Sequence, residues 1–183
     1  MNQKDIYSDL DKLYQKDKDH WARDKADVSF VNEKIISLVK QLPHARILEV
    51  GCGKGTLTEE LVKICDDVVA IDVSPTTIDY ATSHVKGAKF KVCSLEDLED
   101  NNFDIIICSE ILCYIKKPSI VLDKLPRLGK YLILKHYLFI RFNIGLGNIK
   151  YELLLNKFKT LNRRLYFSPK RLYATLYTTK LLS

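Results

Sequence analysis

The ten residues ILEVGCGKGT, from Ile47 to Thr56, constrain the fold more than any other part of the sequence. An apolar run containing a glutamate leads into glycines at three alternate positions, an order typical of a β-strand, a ligand-binding loop and a helix start. Glycine permits positive φ and lets a bound molecule approach the backbone closely. The free N–H groups of the following helix add a partial positive charge. The stretch therefore predicts a strand–loop–helix unit that binds a ligand, with a tight turn without a ligand as the alternative.

The spacing of these glycines does not fit two common nucleotide-binding motifs. A dinucleotide-binding loop needs G-x-G-x-x-G, and the third glycine, counted from Gly51, is replaced by Thr56. A P-loop needs G-x-x-x-x-G-K-[ST], and its first glycine would fall on Leu48. The pattern that remains is E-x-G-x-G-x-G, beginning at Glu49.

Segments with strand and helix periodicity alternate along most of the chain. The run 103–109 is almost continuously apolar, as expected of a strand buried on both faces. Strands are expected at 46–50, 68–73, 89–93, 103–109 and 130–136, with helices at 56–65, 74–85 and 119–125 between them. Two helices are expected before the first strand, and two more strands at 163–167 and 171–179, joined by a turn at 168–170. This alternation predicts an α/β fold with a doubly wound, Rossmann-like, mostly parallel sheet and helices on both faces.

The composition is that of an ordinary globular protein, but the charge is unevenly distributed. Of 183 residues, 46% are hydrophobic and 28% are charged. The first 115 residues carry 14 Lys and Arg against 21 Asp and Glu, a net charge of −7, and the last 68 carry 15 against 2, a net charge of +13. So basic a C-terminal third favours an anionic partner or substrate, nucleic acid included. A solvated basic face is the alternative.

The five cysteines and the N-terminus set the expected compartment. Because the number is odd and no C-x-x-C occurs, neither a disulfide framework nor a metal site is expected. The N-terminal MNQKDIYSDL lacks the apolar segment of a secretory signal. No apolar run reaches the roughly 18 residues that span a bilayer. A reducing, cytoplasmic location is therefore expected.

Asp72 is the second candidate for ligand binding. It ends the second expected strand, 21 residues after Gly51. A carboxylate in this position can accept hydrogen bonds from both ribose hydroxyls of a nucleoside. An N-cap or an exposed strand-end aspartate is the alternative.

Four segments resemble, in order and spacing, motifs I to IV of the class I S-adenosylmethionine (SAM)-dependent methyltransferases. They are ILEVGCGKG, VVAIDVS, FKVCSLEDL and FDIIICSEILCYI. The resemblance covers roughly residues 46–136 and implies SAM as the cofactor and a seven-stranded, mostly parallel sheet with a C-terminal antiparallel hairpin. Within the family, SEILCYI and an H-W-x-R segment are similar to the nodulation protein S branch. Members of that branch N-methylate a deacetylated glucosamine unit of a chito-oligosaccharide.

The resemblance implies cofactor-binding roles for the residues at matching positions. Glu49 would orient the loop or contact the methionine end of SAM, and Asp72 would hold the ribose, with Val73 against the adenine. Ser94 stands where the family often has an acidic residue for the adenine amino group. Its hydroxyl, or the backbone N–H of Leu95, is expected to serve instead. Further contacts are expected from the loop and from the end of the fourth strand: Gly51, Cys52, Gly53 and Ser109.

Methyl transfer from a sulfonium depends mainly on positioning, and a base is needed only when the acceptor carries a proton that must leave. Glu110, directly after the fourth strand, is the first candidate for this base, because ligands bind beyond the carboxyl ends of strands in open α/β sheets. A helix-capping carboxylate is the alternative. His136, at the end of the fifth strand, is the second candidate, with a structural histidine as the alternative.

The remaining candidates concern the acceptor and a lid. Tyr114 is expected either to line the acceptor pocket or to pack as an ordinary aromatic side chain. Trp21 and Arg23 are expected in an N-terminal lid over SAM, with a hydrophobic anchor as the alternative for Trp21. The chain 1–183 is expected to be one SAM-dependent methyltransferase domain, with a helical lid or cap at 1–42, a SAM-binding core at 46–136 and a substrate-side region at 137–183.

Two functions follow as predictions. The first is a SAM-dependent methyltransferase that acts on N or O of a small-molecule or saccharide acceptor. The second is a nucleic-acid methyltransferase, for RNA in particular, or an RNA-binding module that uses the basic C-terminal third and its interleaved Tyr and Phe. The segment after strand four lacks the Asn/Asp-Pro-Pro-aromatic motif of many amino-directed nucleic-acid methyltransferases, which favours the first. A SAM-binding protein without catalysis is a third possibility.

Overall fold

The computed structural model describes the backbone of residues 2–16, 25–109, 111–137, 160–167 and 173–180, and the side chains of 2–16, 28–109 and 111–135. Within these ranges, the helices are α1 (Gln3–Lys16), α2 (Lys25–Val39), α3 (Thr58–Leu61), α4 (Pro75–His84) and α5 (Pro118–Leu128). The strands are β1 (Arg46–Val50), β2 (Asp67–Asp72), β3 (Ala88–Val92), β4 (Phe103–Ser109), β5 (Gly129–Tyr137), β6 (Thr160–Phe167) and β7 (Tyr173–Lys180). None of the described helices has the length and apolar character needed to cross a bilayer.

The seven strands form one sheet in the order β3-β2-β1-β4-β5-β7-β6. The first five of these are parallel to their neighbours. β7 pairs antiparallel with β5 and with β6, and the turn expected at 168–170 lies outside the described residues. The parallel part winds outward in two directions, so its switch point lies between β1 and β4. This confirms the Rossmann-like, doubly wound sheet that the alternating pattern predicts.

Helices cover both faces of the parallel strands because successive strand residues point in opposite directions. In β4, Ile106 belongs to the apolar cluster that contains Leu122 of α5. Its neighbour Ile105 belongs to a second cluster, which contains Ile35 of α2 and Leu61 of α3. Both faces of the strand are therefore buried, which explains its nearly continuous apolar run.

The predicted helix boundaries hold for α4 and fail for α3. Ser74 caps α4 by accepting a hydrogen bond from the Thr77 backbone N–H at 3.2 Å, and proline occupies the first turn. The helix predicted at 56–65 is α-helical only from Thr58 to Leu61 and has no side-chain cap. The Thr58 hydroxyl instead contacts Glu49 in the neighbouring strand. A tertiary contact has thus taken the place of the local helix-start interaction.

Arg46, the first residue of β1, ties the amino ends of several strands together. Its Nε lies 3.2 Å from Asp67 at the start of β2, although not in hydrogen-bond geometry. Its Nη2 lies 3.0 Å from Asp100 in the loop before β4. The guanidinium also lies over the Phe103 ring, 4.7 Å from the centroid. These contacts fix the edge of the sheet opposite the glycine loop.

Candidate functional site

The glycine loop after β1 is tightly packed at Gly51 and has free space beside the backbone at Gly53. Gly51 has φ of 75°, and its N–H donates to the Ile71 carbonyl at 2.8 Å. A Cβ on Gly51 would lie 2.3 Å from Cγ2 of Ile111, so no larger residue fits. Gly53 has φ of 52°, but a Cβ there would meet only the Tyr14 hydroxyl, at 3.5 Å. The loop therefore forms a cradle that leaves backbone exposed to a ligand at Gly53.

Asp72, at the end of β2, binds this loop from the neighbouring strand. Its Oδ2 accepts a hydrogen bond from the Gly53 N–H at 2.8 Å, and its Oδ1 accepts one from the Ser74 N–H at 2.9 Å. The side chain is only 8% exposed. Burial raises the pKa of Asp72, while these backbone hydrogen bonds act in the opposite direction. A carboxylate has about four acceptor positions, and these two backbone hydrogen bonds use one on each oxygen.

Glu49 is a second buried acid beside the loop. It is 3% exposed, and its Oε2 accepts a hydrogen bond from the Thr58 hydroxyl at 2.5 Å. Burial raises its pKa to about 8; the Thr58 hydrogen bond opposes this and the Asp72 charge adds to it. Burial, Glu49 and Asp72 together raise the pKa of the Cys52 thiol, which makes it a poor nucleophile.

Helix α1 lies over the donor side of this site. Oδ1 of Asp11 accepts hydrogen bonds from the Ser74 hydroxyl at 2.5 Å and from the Thr76 N–H at 3.2 Å. One turn further on, Tyr14 places its hydroxyl against Gly53. Burial raises the pKa of Tyr14, and the nearby charge of Asp72 adds to the effect. Both residues thus contact the loops that follow β1 and β2.

The same face of α1 continues over the loops that follow β3 and β4. The Tyr7 hydroxyl lies 3.1 Å from each carboxylate oxygen of Glu96. Gln3 donates from Nε2 to the Tyr114 carbonyl at 2.8 Å and accepts from the Lys116 N–H at 2.9 Å. The polar residues of α1 were not among the predicted site residues. Their spacing of three to four residues was the available signal, because it places them on one helix face.

Ser94, Leu95 and Val73 are the residues predicted to contact the adenine. Ser94 already makes hydrogen bonds within its own turn. The Ser94 hydroxyl donates to Oδ2 of Asp97 at 2.8 Å and accepts from the Asp97 N–H at 3.2 Å. Leu95 is 3% exposed and packs in the core. Val73 directly follows Asp72 and is half-buried. An adenine contact by Ser94 therefore stays a prediction, in addition to its role in this turn.

The acceptor side of the site is only partly described. Ser109 ends β4 and pairs in register with Lys135 of β5, which is only 7% exposed and was not predicted as a site residue. Tyr114 is half-buried in a short 3-10 turn. The structure describes only the backbone of His136, in β5. Three further predicted residues lie outside the described ranges: Trp21, Arg23 and Glu110.

These groups fit a cationic nucleoside better than a metal ion. Two buried carboxyls flank a glycine cradle at the carboxyl ends of adjacent strands, so both a positive charge and hydroxyl donors find partners. In the part of the chain that the structure describes, no three His, Cys, Asp or Glu side chains are grouped so as to hold a metal. SAM carries both a cationic centre and a ribose, and the described residues therefore fit it.

Comparison with known sequences supports the same assignment. Residues 48–131 match the family described as "Methyltransferase domain". A ubiquinone biosynthesis O-methyltransferase from Xanthomonas oryzae pv. oryzae (strain PXO99A) is 32% identical over 102 residues, which cover 52% of this chain and 43% of that protein. The chain thus matches less than half the length of this curated relative.

Comparison with solved structures extends the similarity over nearly the whole chain. The N-methyltransferase NodS from Bradyrhizobium japonicum WM9, in complex with S-adenosyl-L-homocysteine (SAH), superposes with a TM-score of 0.78 at 17% identity and covers 97% of this chain and 99% of its own. Magnesium protoporphyrin IX methyltransferase from Synechocystis PCC 6803, with bound SAM, gives a TM-score of 0.73 at 18% identity and covers 97% of both chains. At these identities the likeness shows the fold. Together, the sequence match over residues 48–131 and the shared fold show that this part of the chain is a methyltransferase domain with the fold of SAM-dependent methyltransferases.

Proposed function

We propose that the protein is a SAM-dependent methyltransferase that acts on N or O of a small-molecule or saccharide acceptor. The observation that carries the proposal is the pair of buried acids, Glu49 and Asp72, on either side of the glycine loop. This loop lies at the switch point of the sheet, where open α/β folds bind their ligands. SAM supplies the methyl group already activated as a sulfonium.

On the donor side, Asp72 accepts hydrogen bonds from the ribose hydroxyls through the oxygen positions that the backbone leaves open. Glu49 lies near the methionine end. Val73 packs against the adenine, with Ser94 and Leu95 at its edge. The amino-acid moiety rests on the loop backbone at the remaining predicted contacts: Gly51, Cys52, Gly53 and Ser109.

On the acceptor side, the chain offers two groups that can remove a proton. Glu110 and His136 directly follow Ser109 and Lys135, which are register partners in β4 and β5. Their sequence positions, one residue past this register pair, support a proton-accepting role for either residue. Glu110 is the proposed base and His136 the second candidate, with Tyr114 lining the acceptor pocket.

The N-terminal 42 residues act as a lid over this site. Within this region, α1 contacts the loops that follow β1, β2, β3 and β4. A ligand bound in the cradle at Gly53 is therefore shielded from water by this helix, which lowers the local dielectric around the reacting groups. Trp21 and Arg23 belong to the same lid region and are proposed to contact SAM or the acceptor.

The choice of acceptor rests on the named relatives. One is named for O-methylation in ubiquinone biosynthesis and another as an N-methyltransferase. They support small-molecule methylation on either atom, without selecting between them for this chain. The comparisons give no support to the nucleic-acid alternative.

Calorimetric titration with SAM and SAH tests the donor site. We expect Asp72→Ala to weaken SAM binding by about 10- to 100-fold, since hydrogen bonds to a charged group contribute roughly 1.5–3 kcal/mol each. Asp79→Ala is the matched control, because Asp79 is exposed on α4 and lies outside the site. Equal affinity in the wild type and Asp72→Ala would refute this placement of the cofactor.

A turnover assay tests the enzyme itself. SAM consumption is measured with a panel of amines, amino sugars and phenols as acceptors. For Glu110→Gln we expect unchanged SAM affinity and reduced turnover, because the variant keeps the shape of the side chain and loses its basicity. Full turnover in this variant would remove Glu110 as the base. Tight SAM binding without turnover on any acceptor would favour a binding protein without catalysis.

A further inference from the structure

The two acids beside the glycine loop have unequal surroundings. Glu49 pairs in register with Ala70, and Asp72 lies two residues further along the same strand, so both side chains are on one face of the sheet. Asp72 accepts two backbone N–H hydrogen bonds, whereas Glu49 accepts one from a hydroxyl. Glu49 is also the more deeply buried of the two. Asp72 is therefore much the better stabilised as an anion.

Among the described residues, the groups that act on Glu49 bring no positive charge. From β2 it faces Asp72, from the loop the Cys52 thiol, and from α3 the neutral Thr58 hydroxyl. Its register partner in β4 is the apolar Ile107. Two adjacent buried carboxyls that lack a cation hold one proton between them. The asymmetry of the hydrogen bonds places that proton on Glu49.

We propose that Glu49 is a proton-release group of the donor site: it is a neutral carboxyl before SAM binds and a carboxylate once the cation is in place. The O–H bond of Glu49 breaks, the proton leaves to solvent, and the donor itself is not changed chemically. The inference rests on the proposed position of SAM at this loop. It assigns Glu49 a role in distinguishing the cationic donor from its neutral product.

SAM affinity should depend on pH because binding is coupled to loss of the Glu49 proton. Below about pH 8 the free protein holds the proton, and binding has to expel it. SAM affinity therefore rises with pH, by up to about tenfold per unit, and levels off above that value. SAH lacks the sulfonium charge, so it favours the ionised form less. The ratio of SAM to SAH affinity is expected to increase with pH.

Calorimetry in two buffers measures the proton directly. SAM is titrated into the protein at about pH 7 in phosphate and in Tris, whose ionisation enthalpies differ widely, and the difference in apparent enthalpy gives the number of protons released. We expect close to one proton for SAM, fewer for SAH, and about one fewer in Glu49→Gln than in the wild type. Glu59→Gln, an exposed change on α3, is the control and should match the wild type. Because both proteins bind the same ligand, titration of the ligand's own ammonium cancels in the comparison.

Equal proton release in the wild type and Glu49→Gln would overturn the inference. If Glu49→Gln fails to fold, Thr58→Val decides, because loss of that hydrogen bond to Glu49 should move the release to higher pH. An unmoved profile in Thr58→Val would also overturn it. SAM binding with no proton released defeats this inference alone, whereas absence of SAM binding defeats the proposed function as well.

Discussion

The Ser74 hydroxyl donates a hydrogen bond to Oδ1 of Asp11 at 2.5 Å, across 63 residues of sequence. Ser74 caps α4 and follows Asp72 by two residues, so this bond ties α1 to the proposed ribose site. Burial acts to raise the pKa of Asp11, but the hydrogen bonds from Ser74 and Thr76 outweigh it and lower the pKa. Asp11 is therefore anionic at neutral pH, which strengthens the attachment.

Loss of this attachment should make the lid open more readily. For Asp11→Ala we expect SAM to dissociate about tenfold faster, with a smaller change in the association rate, since the bond acts only in the closed arrangement. Stopped-flow measurement of SAM release checks this. Asp9→Ala is the matched control, because Asp9 is exposed on the same helix and pairs with Lys12 of that helix. Equal release rates for Asp11→Ala and Asp9→Ala would show that α1 does not retain the cofactor.

Two glycines of one loop should respond differently to the same substitution. In Gly51→Ala the new Cβ would lie 2.3 Å from Ile111, and the backbone would have to keep a φ of 75°. We therefore expect the variant to lose about 2–4 kcal/mol of stability. In Gly53→Ala only an ordinary contact at 3.5 Å is added, and we expect about 1 kcal/mol. The Gly53 methyl group enters the cradle, however, and should weaken SAM binding. Urea denaturation and SAM titration separate the two effects. Equal loss of stability in both variants would contradict the packing at Gly51.

Arg46 should contribute to stability without affecting the cofactor. Arg46→Ala removes the contacts with Asp67, Asp100 and the Phe103 ring at the edge opposite the site. We expect a loss of about 1–2 kcal/mol, since the pairs are partly exposed but share one guanidinium. Lys63→Ala, which removes an exposed pair between Glu60 of α3 and the turn that follows it, is the control and should leave the melting temperature unchanged. Reduced SAM affinity at full stability would contradict a purely structural role.

The parallel sheet was predictable because its signals are local. Most strands of the parallel core contain an apolar run, and the strand Phe103–Ser109 matches its predicted bounds because it is almost continuously apolar and is buried on both faces. The glycine loop and Asp72 were predictable for the same reason, since one short stretch fixes each. The resemblance to the SAM-dependent methyltransferases depended on the order of four such stretches, and the match of residues 48–131 to a methyltransferase domain confirms it.

The lid contacts were not predictable from local pattern. Gln3 contacts Tyr114 across 111 residues and Asp11 contacts Ser74 across 63, and such pairings depend on how α1 packs on the finished sheet. Thr58 is a similar case, because an ordinary helix-start residue in sequence becomes the hydrogen-bond donor to a buried acid. The sequence pattern identified an amphipathic helix but not which of its polar residues reach the site.

Glu49 should also govern how the stability of the protein without SAM depends on pH. An acid whose folded pKa exceeds its unfolded value binds its proton more tightly in the folded state, so its contribution to stability is present at low pH and is lost as pH rises. For Glu49 the interval runs from about 4.3 in the unfolded chain to about 8 in the fold. The free energy of unfolding should thus fall by up to about 1.4 kcal/mol per pH unit across it.

Glu49→Gln should remove the part of the fall in unfolding free energy that Glu49 causes between about pH 5.5 and 7.5. Urea denaturation of both proteins at these two pH values measures the unfolding free energy. Asp67 and Asp104 do not interfere, because their pKa values are lowered by Lys89 and Lys130, and their contributions are lost only in acid. Asp72 has a raised pKa and contributes with the same sign, but it remains in the variant. The difference between the two proteins therefore reports the proton that the Glu49–Asp72 pair loses with the Glu49 carboxyl. Parallel pH profiles for the wild type and Glu49→Gln would show that Glu49 is already ionised in the folded protein, because only a group that is protonated there can make the profiles diverge.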